Sequence, residues 1–99
     1  MNIVETRNGE ELVLALEGNL DTSSYEQLES VISSSLEGVK SLVLDFAKLD
    51  YVSSAGLRIL LISQKKMNAQ GKMTLRNVNN DIMDIFEMTG FLNILNIEH

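Results

Sequence analysis

The sequence predicts a single α/β domain over residues 1–99, with a mixed, mostly parallel sheet of about four to five strands and about three to four helices. Short apolar runs typical of strands alternate with helical patterns, and the connections between them are short. The 99 residues contain no proline and no serine–glycine linker, so we expect one domain with its own core.

Four segments have strand patterns. The nearly continuous apolar runs at residues 11–17 and 41–46 are typical of central strands that are covered on both faces. Residues 73–76 alternate apolar and polar side chains, which favours a strand near a sheet edge. Residues 2–7 predict a further short strand.

Helical spacing predicts three helices, at residues 24–36, 54–69 and 80–88. Ser23 and Glu26 have the spacing of a capping box at the start of the first helix. Gly71 and Gly90 are placed to end the second and third helices.

Several apolar side chains of these helices are expected to pack inward. Ile59 and Ile62 should lie in a broad core stripe, because a helix that covers a sheet often buries a wide face. Met67, Met83 and Met88 are scattered along the chain and fit helix packing better than a binding stripe.

Charge and composition exclude several classes of function. The net charge of −6 makes binding to a nucleic-acid backbone unfavourable. No apolar stretch approaches the roughly 20 residues of a membrane span, and the N-terminus lacks the pattern of a signal peptide. With no cysteine either, we expect a soluble cytoplasmic protein without disulfides.

Enzymatic activity is not expected. The only histidine is the terminal His99, which we predict to be a frayed end and not a general base. The sequence has no phosphate-binding glycine loop and no cysteine or histidine cluster with metal-ligand spacing, so no cofactor or metal is predicted. Use of Ser54 as a nucleophile needs a neighbouring base that the sequence does not offer.

The one segment with the pattern of a chemical site is the serine pair Ser53-Ser54, which lies between a strand pattern and a helix pattern. The start of a helix presents unpaired N–H groups and the positive end of its dipole, so a phosphate on Ser54 would be stabilised there. Serine is also a favoured N-cap, and either serine can fill that role without any further function. Arg58, one turn later, is placed to pair with a phosphoserine or with an acidic group of a partner.

Three aspartates are secondary candidates. Loops that leave the carboxyl ends of parallel strands meet at one rim, which would bring Asp21 near the serine pair. Asp21 can equally be a simple cap of the first helix. Asp45 and Asp50 fit turn carboxylates, and a metal site built from the three has no sequence signature.

The chain resembles the STAS domain family, and in particular the bacterial anti-sigma factor antagonists. The resemblance runs nearly end to end and is carried by four segments: EGNLD at 17–21, LVLDF at 42–46, VSSAGL at 52–57 and FEMTGF at 86–91. The serine turn and the Thr-Gly-aromatic segment are the most specific of these.

The resemblance implies a partner-switching phosphoprotein of transcription regulation. Such a domain binds an anti-sigma factor serine kinase and frees the sigma factor, until the kinase phosphorylates it and it is released; a phosphatase then resets it. Ser54 matches the phosphorylated position, with Ser53 as second choice, and Asp21 matches an aspartate that contributes to kinase engagement. The alternative is a STAS interaction module of another regulatory or transport complex that is never phosphorylated. The oligomeric state stays open.

Overall fold

The computed structural model describes residues 1–98, so the prediction for His99 lies outside the described residues. Its elements are, in chain order, β1 (Asn2–Asn8), β2 (Glu11–Leu20), α1 (Tyr25–Ser35), β3 (Ser41–Val52), α2 (Ser54–Asn68), β4 (Lys72–Arg76), α3 (Asn80–Thr89) and a single 3-10 turn (Phe91–Asn93). The helix positions agree with the sequence prediction to within about two residues.

The four strands form one mixed sheet in the order β1-β2-β3-β4. β1 pairs antiparallel with β2, whereas β2 with β3 and β3 with β4 are parallel. α1 and α2 provide the two crossovers between the parallel strands. The predicted mixed, mostly parallel α/β class is therefore confirmed. Among residues 1–98, no helix has the length and apolarity needed to cross a bilayer.

One face of the sheet supplies most of the core. On β2, Leu12, Leu14 and Leu16 are fully buried, and the helices add their apolar sides to the same cluster. The other face is more open, because Val13 and Ala15 are only half-buried. The expectation of cover on both faces is therefore wrong for β2, whereas on β3 the outer-facing Val43 is only 8% exposed.

Both central strands are longer than predicted. β2 continues to Leu20 and β3 to Val52, and register shifts between Ala15 and Glu17 and between Gly18 and Asn19 keep them paired. Each strand extends beyond its apolar run because the backbone hydrogen bonds between β2 and β3 continue past the apolar residues, whatever side chains follow. These extensions bring the ends of both strands to the same rim.

Two side chains that were expected in the core are exposed. Ile59 and Met67 are buried, but Ile62 is 36% exposed because it lies one turn after the exposed Arg58, on nearly the same side of α2. Met88 is 79% exposed. It lies about 200° around α3 from the buried Phe86, so its side chain points away from the core.

The first turn of α2 lies against the end of β2 with no space to spare. A Cβ added at Gly56 would lie 2.6 Å from the Leu20 carbonyl oxygen and 2.8 Å from Val52 Cγ1. Both neighbours belong to central strands and cannot move freely. A glycine here therefore sets the distance between the helix start and the loop that follows Leu20.

We expect Gly56→Ala to lower the free energy of unfolding by about 1–3 kcal/mol, because the added methyl group overpacks a rigid contact. Urea unfolding measures the change. Lys65→Ala, at an exposed position of the same helix, is the control and should change stability by less than about 0.5 kcal/mol. Equal stability of Gly56→Ala and wild type would contradict the close approach.

Candidate functional site

The serine pair and the Asp21 loop are brought together by strand register. Leu20 and Val52, the last residues of β2 and β3, are paired neighbours. The backbone N–H of Ser53 donates to the Leu20 carbonyl oxygen at 2.9 Å, which extends the pairing by one more bond. Asp21 and Ser53, which directly follow these two strands, therefore lie next to each other at the same edge of the sheet.

The two serines have different roles in the helix start. Ser53 is the half-buried N-cap of α2, and its Oγ accepts a long hydrogen bond of 3.5 Å from the Gly56 N–H. Ser54 is the first helical residue and is exposed, and its hydroxyl makes no hydrogen bond within the described part of the chain. Ser54 therefore offers the free alcohol of the pair.

Asp21 is held in place by the residues that follow it. Its Oδ1 accepts hydrogen bonds from the Ser23 Oγ at 2.6 Å and from the Ser23 N–H at 2.9 Å, with a longer contact of 3.3 Å to the Ser24 Oγ. The Ser23 hydroxyl, then the Ser23 N–H, hold the pKa of Asp21 below its ordinary value. The loop therefore presents a fixed negative charge near neutral pH.

These bonds also overturn the predicted capping box. Ser23 donates to Asp21 and does not cap α1, and Ser24 occupies the N-cap position without a side-chain cap hydrogen bond. In a capping box, the Ser23 hydroxyl oxygen would accept a hydrogen bond from the backbone N–H of Glu26. Here the Ser23 hydroxyl is instead held by the Asp21 carboxylate, to which it donates.

Ser24 is a site residue that sequence reasoning missed. It is 3% exposed, donates to the Asn19 carbonyl oxygen at 2.6 Å and accepts from the Asp21 N–H at 3.0 Å. It therefore connects both ends of the loop that carries Asp21. The available signal was an aspartate followed closely by two serines, a composition that favours local side-chain to backbone turns.

Arg58 lies one turn after Ser54 on the exposed side of α2. It makes no ion pair with any carboxylate of residues 1–98. Its guanidinium can therefore meet a phosphate or an acidic side chain without first breaking another contact.

The other two aspartates do not join this cluster through any hydrogen bond. Asp45 is paired with Arg76 at 3.6 Å and accepts a hydrogen bond of 3.0 Å from Asn77. Burial raises the pKa of Asp45, but the hydrogen bonds from Asn77 and Ala47 and the charge of Arg76 outweigh it and leave the pKa lowered. The described residues contain no group of three side chains able to hold a metal ion.

We expect Asp21→Asn to destabilise the domain at neutral pH, with a loss that disappears in acid. A lowered carboxylate pKa contributes stability above the unfolded-state value of about 3.9, and this is lost as the pH falls through the folded-state pKa. The difference in unfolding free energy between wild type and Asp21→Asn should therefore shrink below about pH 4.

Urea unfolding across the acid range measures this difference. Ser23→Ala removes the principal hydrogen-bond donor to Asp21. The unfolding free energy of Ser23→Ala should therefore also depend less on pH than that of wild type. A wild-type to Asp21→Asn difference that stays constant down to pH 2 would contradict a charge held by these bonds.

The comparisons with known proteins agree with this architecture. The protein named "Putative anti-sigma factor antagonist BtrV", from Bordetella bronchiseptica, is 36% identical in an alignment of 85 residues that covers 84% of this chain and 73% of that protein. The structure of SpoIIAA in its unphosphorylated form matches with a TM-score of 0.78 at 20% identity, covering 99% of this chain and 88% of that chain. SpoIIAA from Bacillus in its phosphorylated form matches with a TM-score of 0.76 at 22% identity, covering 99% and 92%.

At these identities the two structural matches show the fold alone. The family follows from a different comparison, in which the model of the STAS domain matches residues 2–99. This match and the identity to BtrV confirm the resemblance seen in the sequence. The chain belongs to the STAS domain family.

Proposed function

We propose that this chain is an anti-sigma factor antagonist that works by partner switching. Unmodified, it binds an anti-sigma factor that is also a serine kinase, and the sigma factor is thereby freed. The kinase phosphorylates Ser54, the complex dissociates, and a phosphatase restores the alcohol. The observation that carries the proposal is the exposed Ser54 hydroxyl, which makes no hydrogen bond within the described part of the chain and lies beside the Asp21 loop.

Access supports Ser54 over Ser53 as the modified residue. A kinase must align the γ-phosphate of its nucleotide with the attacking oxygen, and an exposed alcohol at the first helical position permits that approach. Ser53 is half-buried, and its oxygen is engaged with the Gly56 N–H.

The helix start can accept the phosphate without refolding. Phosphorylation adds about −1.5 to −2 charges at neutral pH. The first backbone N–H groups of α2 lack helical partners, and Arg58 lies one turn away with no competing ion pair in residues 1–98. We therefore expect the domain to retain its fold. The unfavourable effect of the phosphate appears instead as weaker binding to the partner.

Release then follows from local electrostatics and sterics. A bound partner surrounds a neutral alcohol beside the fixed charge of Asp21. A phosphate at the same place must be desolvated and adds its charge to that of the carboxylate, which opposes binding. A penalty of about 3–4 kcal/mol weakens binding by a factor of several hundred.

In this cycle the chain acts as ligand and substrate of its partner. The kinase binds ATP and the sigma factor contacts DNA. The chain itself therefore needs no cofactor, no metal and no surface that binds nucleic acid. The net charge of −6 is compatible with that division of labour. Because sigma factors act on transcription inside the bacterial cell, the proposed cycle implies a cytoplasmic protein.

The test is an assay with the cognate anti-sigma factor and Mg–ATP, with the modified residue mapped by mass spectrometry. Ser54→Ala should abolish phosphorylation because it removes the acceptor oxygen. Ser53→Ala should retain it, although loss of the cap is expected to cost about 1 kcal/mol of stability. Circular dichroism of both variants checks that they are folded.

Phosphate confined to Ser53 would overturn the site assignment. No phosphate on wild type, with a partner that binds it and phosphorylates another antagonist, would favour the unphosphorylated interaction module of another regulatory or transport complex.

A further inference from the structure

A second exposed surface lies on α3 and the 3-10 turn that follows it. We define this α3 surface by Asp81, Asp84, Glu87, Met88 and Leu92. Asp81, Asp84 and Met88 are spaced three and seven residues apart and so lie on one strip of the helix. Met88 is 79% exposed and Leu92 39% exposed. Apolar side chains are thus presented to solvent next to carboxylates.

The charge of this region is of one sign. After Arg76 the described chain contains no lysine or arginine, and its charged residues are the four acidic side chains Asp81, Asp84, Glu87 and Glu98. None of the four forms an ion pair within residues 1–98. The surface therefore carries negative charges that no ion pair within residues 1–98 neutralises.

The end of α3 adds to that potential. The carbonyl end of a helix carries partial negative charge and usually has cations nearby, as Lys65 and Lys66 show in the last turn of α2. The last turn of α3 contains no basic residue and carries Glu87 instead. A carboxylate there is unfavourable in the isolated domain, and a cation from another molecule would relieve it.

The shape of the α3 surface is held by its own packing. The rings of Phe86 and Phe91 stack with centroids 6.4 Å apart, which ties the 3-10 turn to the helix. Gly90 adopts the left-handed conformation with a φ of 80°, and the Thr89 hydroxyl donates to the Ile85 carbonyl oxygen at 2.7 Å. The backbone that presents Met88 is therefore held in place, so docking would have to order little additional backbone, and the entropy lost is mainly that of the Met88 side chain.

We propose that the α3 surface docks a basic amphipathic segment of a partner protein. Lysine or arginine side chains of that segment pair with Asp84, Glu87 and the carbonyl end of α3, and its apolar side chains cover Met88 and Leu92. The same negative charge opposes nucleic acid, an anionic membrane and a second copy of this chain. The surface shares no residue with Asp21, Ser53, Ser54 and Arg58.

The test is titration of the full-length, ¹⁵N-labelled chain with a synthetic amphipathic helix of leucine and lysine, followed by amide chemical shifts and fluorescence anisotropy. We expect shifts concentrated in residues 81–94 and binding that weakens with salt. Met88→Ser should weaken binding at least about fivefold, because an apolar anchor is removed. Glu87→Gln should weaken binding and reduce its salt dependence.

Matched variants separate this surface from general acidity. Val4→Ser removes an exposed apolar side chain of β1, and Glu29→Gln removes an exposed carboxylate of α1; both should bind as wild type does. Ser54→Asp should also bind unchanged, so the outcome is independent of the proposed phosphorylation.

Three outcomes would overturn the proposal. The first is equal loss of peptide affinity in Met88→Ser and Val4→Ser. The second is chemical shift changes centred on β1 or on the Asp21 loop. The third is a homodimer in sedimentation equilibrium that Met88→Ser dissociates, which would make a second copy the occupant.

Discussion

The parallel pairing of β2 with β3 up to Leu20 and Val52 is the constraint on which the candidate site depends. The hydrogen bond from the Ser53 N–H to the Leu20 carbonyl oxygen continues this pairing into the helix start. The lack of a side chain at Gly56 then allows α2 to begin directly on Leu20. A shift of one residue in either strand would separate the serine pair from Asp21, because their proximity comes entirely from register.

Around this constraint the domain arranges charges that a phosphate would meet. Asp21 is kept ionised by its serine neighbours, while Arg58 is left without an ion pair in the described chain. In the proposed function, a phosphate on Ser54 would gain a cation and helix N–H groups inside the domain and would lie near the Asp21 carboxylate. The proposed switch thus needs only a change in surface charge, and the core remains as it is.

The sequence predicted the elements that follow from apolar periodicity. It missed the features that depend on which of several neighbouring side chains forms a given hydrogen bond. The strand and helix order and the helix ends follow from apolar spacing and capping preferences. The role of Ser24 and the failure of the Ser23 cap depend on which oxygen Asp21 captures, which spacing alone does not decide. The prediction for Met88 was wrong because it rested on the apolar character of the side chain, although helical spacing puts Met88 about 200° around α3 from Phe86.

The most direct measurement of the central claim compares the unmodified and the Ser54-phosphorylated chain in two respects: affinity for the cognate anti-sigma factor and backbone amide chemical shifts. The account predicts a loss of affinity of at least about a hundredfold, equivalent to about 2.7 kcal/mol, with shift changes confined to the Asp21 loop and the first turns of α2. Unchanged affinity, or shift changes that spread across the sheet and α1, would contradict a switch that acts by local charge.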